Sequence, residues 1–116
     1  MAIQDDASTE PANFTAEVRY ENGATVLSLA GDLDLSTSGA LWEVLMLPEV
    51  LNTPRLWVDL TRLEFLDSTC ISLLVSACKR IRESGGTFSV SGSEGIVLRV
   101  LQISGLLDYF QVEGAP

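Results

Sequence analysis

The run Asp67-Ser68-Thr69 places a carboxylate and two hydroxyl groups at a point where the chain is expected to begin a helix. A serine hydroxyl at a helix N-terminus lies close to backbone N–H groups that have no partner inside the helix. Those groups and the helix dipole stabilise an anion, such as a phosphate attached to the serine. The residues alone favour the simpler interpretation, in which Ser68 is an ordinary N-cap.

Catalytic chemistry has little support, because the chain contains no histidine. This removes the commonest general base, the usual serine and cysteine triads and the commonest metal ligand. A nucleophilic Ser68 or Cys70 would need the only lysine, Lys79, which lies about three turns along the same predicted helix. Asp59 is interpreted as a strand-end residue rather than a metal ligand. We therefore expect no enzymatic activity, no cofactor and no metal.

The two cysteines, Cys70 and Cys78, lie in one apolar stretch, which favours a reducing compartment. On one helix they would be about 12 Å apart, and a disulfide needs Cα atoms within about 7 Å, so they cannot pair. Cys78 falls on the predicted core face and is expected to be a small buried hydrophobe. Cys70, near a helix N-terminus, either has a lowered pKa and is reactive or is a plain substitution.

Length and charge limit the remaining function classes. A chain of 116 residues corresponds to one domain. Its net charge of −9 leaves no basic stripe, so neither nucleic acid nor an anionic membrane is expected as a partner. The acidic start lacks the apolar stretch of a secretory signal, and no run of about 18 apolar residues could span a membrane. The expected location is the cytoplasm.

Five stretches rich in strand-forming residues are predicted as β-strands: 14–20, 25–30, 56–60, 87–91 and 107–112. Asn22-Gly23 predicts a tight antiparallel hairpin between the first two strands. The chain is expected to leave the second strand at Gly31, and residues 61–66 are interpreted as a connection.

Three helices are predicted from apolar residues at helical spacing, and they begin after 36–38, at 67–69 and at 93–94. Pro48 ends or kinks the first, with a second short helical stretch possible beyond it, and Gly105 caps the last. Helices that alternate with strands imply parallel crossovers. The sequence therefore predicts an α/β fold with a mixed sheet, antiparallel in the first hairpin and parallel afterwards.

The predicted core joins one face of the strands to one face of the helices. Its members are Val26, Leu27, Leu29, Leu41, Val58, Leu60, Ile71, Leu74, Val75, Val100 and Leu101. Residues 1–13 are polar and are expected to form a flexible tail, followed by a single domain over 14–116.

Three motifs in this order resemble those of STAS domains, and specifically of the bacterial anti-sigma-factor antagonists. Gly31-Asp32-Leu33-Asp34 is similar to the family's G-[ED]-[LI]-D segment. Val58-Asp59-Leu60 and then Phe65-Leu66-Asp67-Ser68-Thr69 resemble its V-x-D-L…F-x-D-S-[ST]-G-L segment, and Ile103-Ser104-Gly105-Leu106 resembles its closing [IM]-[ST]-G-L. The resemblance runs from Phe14 to Val112 and implies a STAS fold with helices packed mainly on one face of the sheet.

The resemblance implies a regulatory switch. Proteins of this kind bind an anti-sigma factor, itself a serine kinase, and so release a sigma factor. Phosphorylation of one serine breaks the binding, and a serine phosphatase restores it. By motif position the phosphorylated residue is Ser68, and the protein is expected to act as a monomer or weak dimer.

The partner surface is expected at the end of the domain that carries Ser68. Its predicted members are Asp34, Ser36, Thr37, Asp67, Ser68, Thr69, Cys70 and Ile71, with Ile71 as an exposed apolar anchor. Asp34 is equally interpretable as a cap at the entry of the first helix. The hydroxyls of Ser36 and Thr37 are also interpretable as solvated loop groups.

Cys70 stands where the family usually has glycine. A side chain there could crowd a kinase or anti-sigma surface, which would narrow the choice of partner or make the domain a poor kinase substrate. The alternative function is a STAS scaffold that does not switch, as in a stress-sensing or lipid-transport complex. Such a scaffold would bind its partner regardless of the charge at Ser68.

Overall fold

A computed structural model describes residues 13–92, 95–110 and 112–113. The strands are β1 (Phe14–Glu21), β2 (Ala24–Leu33), β3 (Arg55–Leu66), β4 (Thr87–Ser91) and β5 (Val112–Glu113). The helices are α1 (Ser38–Leu45), α2 (Pro48–Leu51), α3 (Ser68–Glu83), α4 (Gly95–Ile103) and α5 (Leu107–Phe110). The predicted tail over 1–13 lies outside the described residues except for Asn13, and so do the predicted helix-starting residues Ser93 and Glu94.

The strands form one mixed sheet in the order β1-β2-β3-β4-β5. The β1–β2 pair is antiparallel and the other three pairs are parallel. Asn22 and Gly23 both have positive φ, at 52° and 82°, as a two-residue hairpin turn requires. The predicted fold class and the predicted hairpin are confirmed.

One hydrophobic cluster joins the sheet to the helices. Most of the predicted core belongs to it, but Val75 and Val100 are only partly buried, and Val26 is buried outside the cluster. Pro48 is the first residue of α2, where its missing N–H costs nothing, and α1 ends before it at Leu45. None of the described helices is long and apolar enough to cross a membrane.

The predicted strand over 107–112 is wrong at residues 107–110, whereas Val112 does lie in a strand. Residues Leu107–Phe110 form the short helix α5, and only Val112–Glu113 pair with β4. The Phe110 N–H bonds the carbonyl of Leu106 at 2.9 Å. This turn buries the Phe110 ring against Phe88, with centroids 5.5 Å apart. A short apolar run fits either structure in the sequence, and here packing against the core decides for the helix.

Both central strands continue past the points where the sequence predicts that they end. β2 passes through Gly31 to Leu33, and β3 includes residues 61–66, which were predicted as a connection. The pairing shifts twice on the way, between Ser28 and Ala30 and between Gly31 and Asp32. Such irregularities bend a strand without ending it, so the two strands finish side by side.

Gly31 allows β2 to pass close to the backbone of Asn13. Its φ is +96°, and a Cβ placed there would lie 1.6 Å from the backbone oxygen of Asn13. The neighbouring Asp32 N–H donates to that same oxygen at 2.6 Å. Because the obstacle is backbone, it cannot be relieved by rotating a side chain.

We expect Gly31→Ala to destabilise the fold by about 2 kcal/mol or more, from overpacking and strain together. Gly85→Ala is the matched control, since Gly85 also has positive φ, at +88°, but has open space around it. Urea unfolding of both variants measures the difference. Equal losses of stability would show that φ alone, and not the contact with Asn13, requires glycine at position 31.

Candidate functional site at the start of helix α3

The site forms where β2 and β3 end together. Leu33 and Leu66 are partners in the parallel ladder. The Asp67 N–H then donates to the carbonyl of Leu33 at 3.0 Å. These contacts bring the loop after β2 against the first turn of α3.

Asp67 is the N-cap of α3. Its φ and ψ of −104° and 175° are extended, and its Oδ1 accepts a hydrogen bond from the Cys70 N–H at 3.0 Å. Its carbonyl accepts the Ile71 N–H, also at 3.0 Å. Ser68 is therefore the first residue inside the helix, and the interpretation of Ser68 as the N-cap is wrong.

The Ser68 side chain is exposed. Its carbonyl oxygen accepts a bond from the Ser72 hydroxyl at 3.1 Å. Within the part of the chain that the structure describes, the Ser68 hydroxyl itself makes no hydrogen bond. Thr69 beside it is also exposed. The first turn of α3 thus presents two hydroxyls to solvent while a carboxylate caps the helix.

The loop after β2 is organised by Asp34. Its Oδ1 accepts from the Ser36 N–H at 2.9 Å, from the Ser36 hydroxyl at 2.7 Å and from the Thr37 N–H at 3.2 Å. The bond from the Ser36 hydroxyl is the largest cause that holds the pKa of the Asp34 carboxyl below its usual value; burial opposes it. Asp34 therefore stays ionised and holds a compact turn that leads into α1.

Three residues of the predicted partner surface have buried side chains: Thr37, Cys70 and Ile71, which are 2%, 0% and 9% exposed. The Thr37 hydroxyl turns inward, donates to the carbonyl of Asp32 at 2.9 Å and accepts the Asp34 N–H at 2.9 Å. Ile71 belongs to the hydrophobic cluster and is not an exposed anchor. These residues support the surface from below.

Cys70 fills the space between the loop and the helix. Its thiol donates a weak hydrogen bond to the carbonyl of Asp34, with the sulfur and oxygen 3.5 Å apart. Burial, followed by the negative charge of Asp67, raises the pKa of Cys70 to about 12, so the predicted lowering is wrong. Burial also raises the pKa of Cys78. The Cys70 side chain points into the protein and therefore does not crowd the outer surface.

Two exposed apolar residues at this end were missed by the sequence analysis. Leu35, at the tip of the Asp34 turn, is 76% exposed, and Phe65, at the end of β3, is 38% exposed. Both fall within the matched motifs or directly beside them, but motif position does not report exposure. An apolar residue between turn-forming polar residues, as in Asp34-Leu35-Ser36, is the signal that could have identified Leu35.

Carboxylates predominate at this end, and Arg62 on β3 lines the same surface depression as Glu64. Residues 31–38 and 63–72 contain Asp32, Asp34, Glu64 and Asp67, and neither segment contains Lys or Arg. Among the described residues, the ion pairs all involve Arg19 on β1, so these four carboxylates have none. Groups of three or more potential ligands for a metal ion are also lacking over the described residues.

Comparisons of the sequence and of the structure with known proteins all find STAS domains or anti-sigma factor antagonists. A family model described as "Mlab, STAS domain" matches residues 16–112. The anti-sigma-F factor antagonist RsfB of Mycobacterium tuberculosis is 31% identical over 102 residues, which cover 88% of this chain and 83% of the relative. The crystal structure of an anti-sigma factor antagonist from Mycobacterium paratuberculosis superposes with a TM-score of 0.77 at 27% identity, covering 89% and 87% of the two chains.

The Bacillus protein SpoIIAA, solved in its phosphorylated form, shares the fold. Its TM-score is 0.66 at 19% identity, and the match covers 89% of this chain and 91% of that one. At this level of identity the likeness concerns the architecture alone.

Asp67→Ala is expected to lower the free energy of unfolding by about 1 kcal/mol, because the cap on the Cys70 N–H is lost. Asp67→Asn keeps an oxygen acceptor and should recover most of that loss. Ser68→Ala should change stability by less than about 0.5 kcal/mol, since the Ser68 hydroxyl makes no hydrogen bond among the described residues. Chemical denaturation of the three variants tests the assignment, and a larger loss in Ser68→Ala than in Asp67→Ala would contradict it.

Neither thiol of the folded protein is expected to react with a disulfide reagent at about pH 8, because the reactive thiolate is suppressed at both cysteines. Both should react after denaturation. Ser68→Cys provides the control, since it places a thiol on the exposed side of the same helix turn and should react at once. Rapid labelling of wild-type Cys70 in the folded state would contradict its buried position.

Proposed function

This chain belongs to the STAS domain family, and on that premise we propose that it is an anti-sigma-factor antagonist. In its unphosphorylated form it binds an anti-sigma factor, a serine kinase, through the surface around Ser68, and so releases a sigma factor. Phosphorylation of Ser68 ends the binding, and a serine phosphatase restores it. The protein acts in the cytoplasm, where sigma factors act.

The observation that carries the proposal is the division of roles between Asp67 and Ser68. Asp67 caps α3, and the exposed Ser68 hydroxyl has no structural role among the described residues. A hydroxyl that is accessible to a kinase and is not needed by the fold can be modified without unfolding the domain.

The helix also accommodates the product of the modification. The first N–H groups of a helix have no carbonyl partner inside it, and Asp67 occupies only that of Cys70 with its side chain. A phosphate on Ser68 would therefore lie beside the free N–H groups and the positive end of the dipole of the 16-residue α3. The domain keeps its fold, and the effect of the added charge of about −1.5 to −2 falls on the partner.

The partner-contacting surface consists of the accessible members of the set predicted from the sequence: Asp34, Ser36, Asp67, Ser68 and Thr69. Asp34 and Asp67 are half-buried and the other three are exposed. Thr37, Cys70 and Ile71 hold this surface in position from beneath. The buried Cys70, in place of the family's usual glycine, leaves the approach to Ser68 open.

We expect Ser68→Asp to weaken binding of the anti-sigma factor at least about tenfold, while the thermal midpoint changes by no more than about 5 °C. Ser68→Ala should bind like wild type. Ser76→Asp is the matched control, since it adds the same charge to an exposed serine two turns further along α3. Titration calorimetry with the purified anti-sigma factor measures all four proteins.

Two results would count against this proposal. Equal affinity of wild type and Ser68→Asp would favour the scaffold that does not switch, as in a stress-sensing or lipid-transport complex. Equal weakening by Ser68→Asp and Ser76→Asp would assign the effect to net charge instead of to the modification site.

A further inference from the structure

We propose that the anti-sigma factor contacts this end of the domain with an apolar pocket that takes Leu35, surrounded by basic side chains that face the carboxylates beside it. The inference rests on the proposed function and specifies the chemistry of its partner. Four carboxylates belong to this acidic end: Asp32, Asp34, Glu64 and Asp67.

Leu35 has the properties of an anchor residue. It is 76% exposed, so its transfer into a pocket would remove most of an aliphatic side chain from water. The turn that carries it is held by the bonds of Asp34 to Ser36 and Thr37. The Leu35 carbonyl also accepts the Ser38 hydroxyl at 2.9 Å. A pre-ordered backbone loses little conformational entropy on binding, which favours affinity.

The carboxylates of the acidic end indicate the charge of the partner's side chains around the pocket. Its two segments, 31–38 and 63–72, contain four carboxylates and no cation. Of these, Glu64 is exposed and Asp32 is half-buried, and neither side chain makes a hydrogen bond within the described part of the chain. Docking against a neutral or acidic surface would remove these charges from water without compensation. Complementary charge on the partner both avoids that cost and speeds association.

This pairing also explains how a phosphate could end binding to a basic surface. If the basic side chains of the partner pair with the four carboxylates, none of them is left to pair with the charge of a phosphate. A phosphate on Ser68 would enter the desolvated contact without a cation of the partner to face it, next to Asp67 and close to the Asp34 turn. The added bulk would further separate Leu35 from its pocket.

The test of the anchor compares Leu35→Ala with Ile103→Ala. Ile103 is an aliphatic residue of similar exposure, 79%, at the end of α4. Binding to the purified anti-sigma factor should weaken at least about tenfold for Leu35→Ala and less than about twofold for Ile103→Ala. Both variants remove exposed side chains, and circular dichroism should show unchanged folds.

The test of the charge compares the double variant Asp32→Asn/Glu64→Gln with Glu49→Gln on α2. Asp32 and Glu64 are chosen because Asp34 and Asp67 also hold the local structure. The dissociation constant of wild type should rise as NaCl increases from about 0.05 to about 0.5 M, because screening weakens exposed charge pairs. The double variant should bind more weakly at low salt and depend less on salt, and Glu49→Gln should follow wild type.

The outcomes separate this inference from the proposed function. If Ser68→Asp releases the anti-sigma factor but Leu35→Ala binds like Ile103→Ala, the anchor is wrong and the switch stands. If the double variant binds as tightly as wild type or more tightly, the proposal that basic side chains surround the pocket is wrong. If no anti-sigma factor binds wild type or Ser68→Ala, the proposed function and this inference both fall.

Discussion

The parallel pairing of β2 and β3 to their last residues is the constraint on which the site depends. The ladder runs to Leu33 and Leu66, and the Asp67 N–H extends it by one bond to the Leu33 carbonyl. On its other side β2 passes Asn13 at Gly31, where the backbone leaves no room for any side chain. Gly31 thus contributes to the position of the site, although it lies on β2, before the Asp34 turn that a partner would contact.

The site divides structural and recognition roles among neighbouring residues. Asp67 caps the helix, and Cys70 packs beneath the loop. The side chains of Ser68 and Leu35 are exposed and contribute little to the stability of the fold. Because stability resides in the buried and capping groups, charge or bulk can change at the exposed positions without loss of the fold. This separation is the physical requirement for any switch that acts by modification of a folded domain.

Much of the fold could be predicted from local signals. The Asn22-Gly23 turn needs positive φ at two successive residues, and few other sequences tolerate that. The start of α3 was correctly placed at 67–69, but the capping role went to Ser68 instead of Asp67. Both residue types cap helices, and only the backbone conformation distinguishes the extended residue from the first helical one. The 107–112 segment was assigned to the wrong structure because burial of Phe110 against Phe88 outweighs local preference.

The sequence by itself determined the order of strands and helices as far as α4, the mixed sheet, the acidic character of the chain and the serine at the head of α3. These follow from periodicity, turn chemistry and composition, which act over a few residues. Only the tertiary structure decided which side chains at the site face water. Cys70 and Ile71 are one and two residues from the exposed Thr69, yet both are buried. A helix turns by about 100° per residue, so the direction of each side chain depends on how the whole helix docks against the sheet.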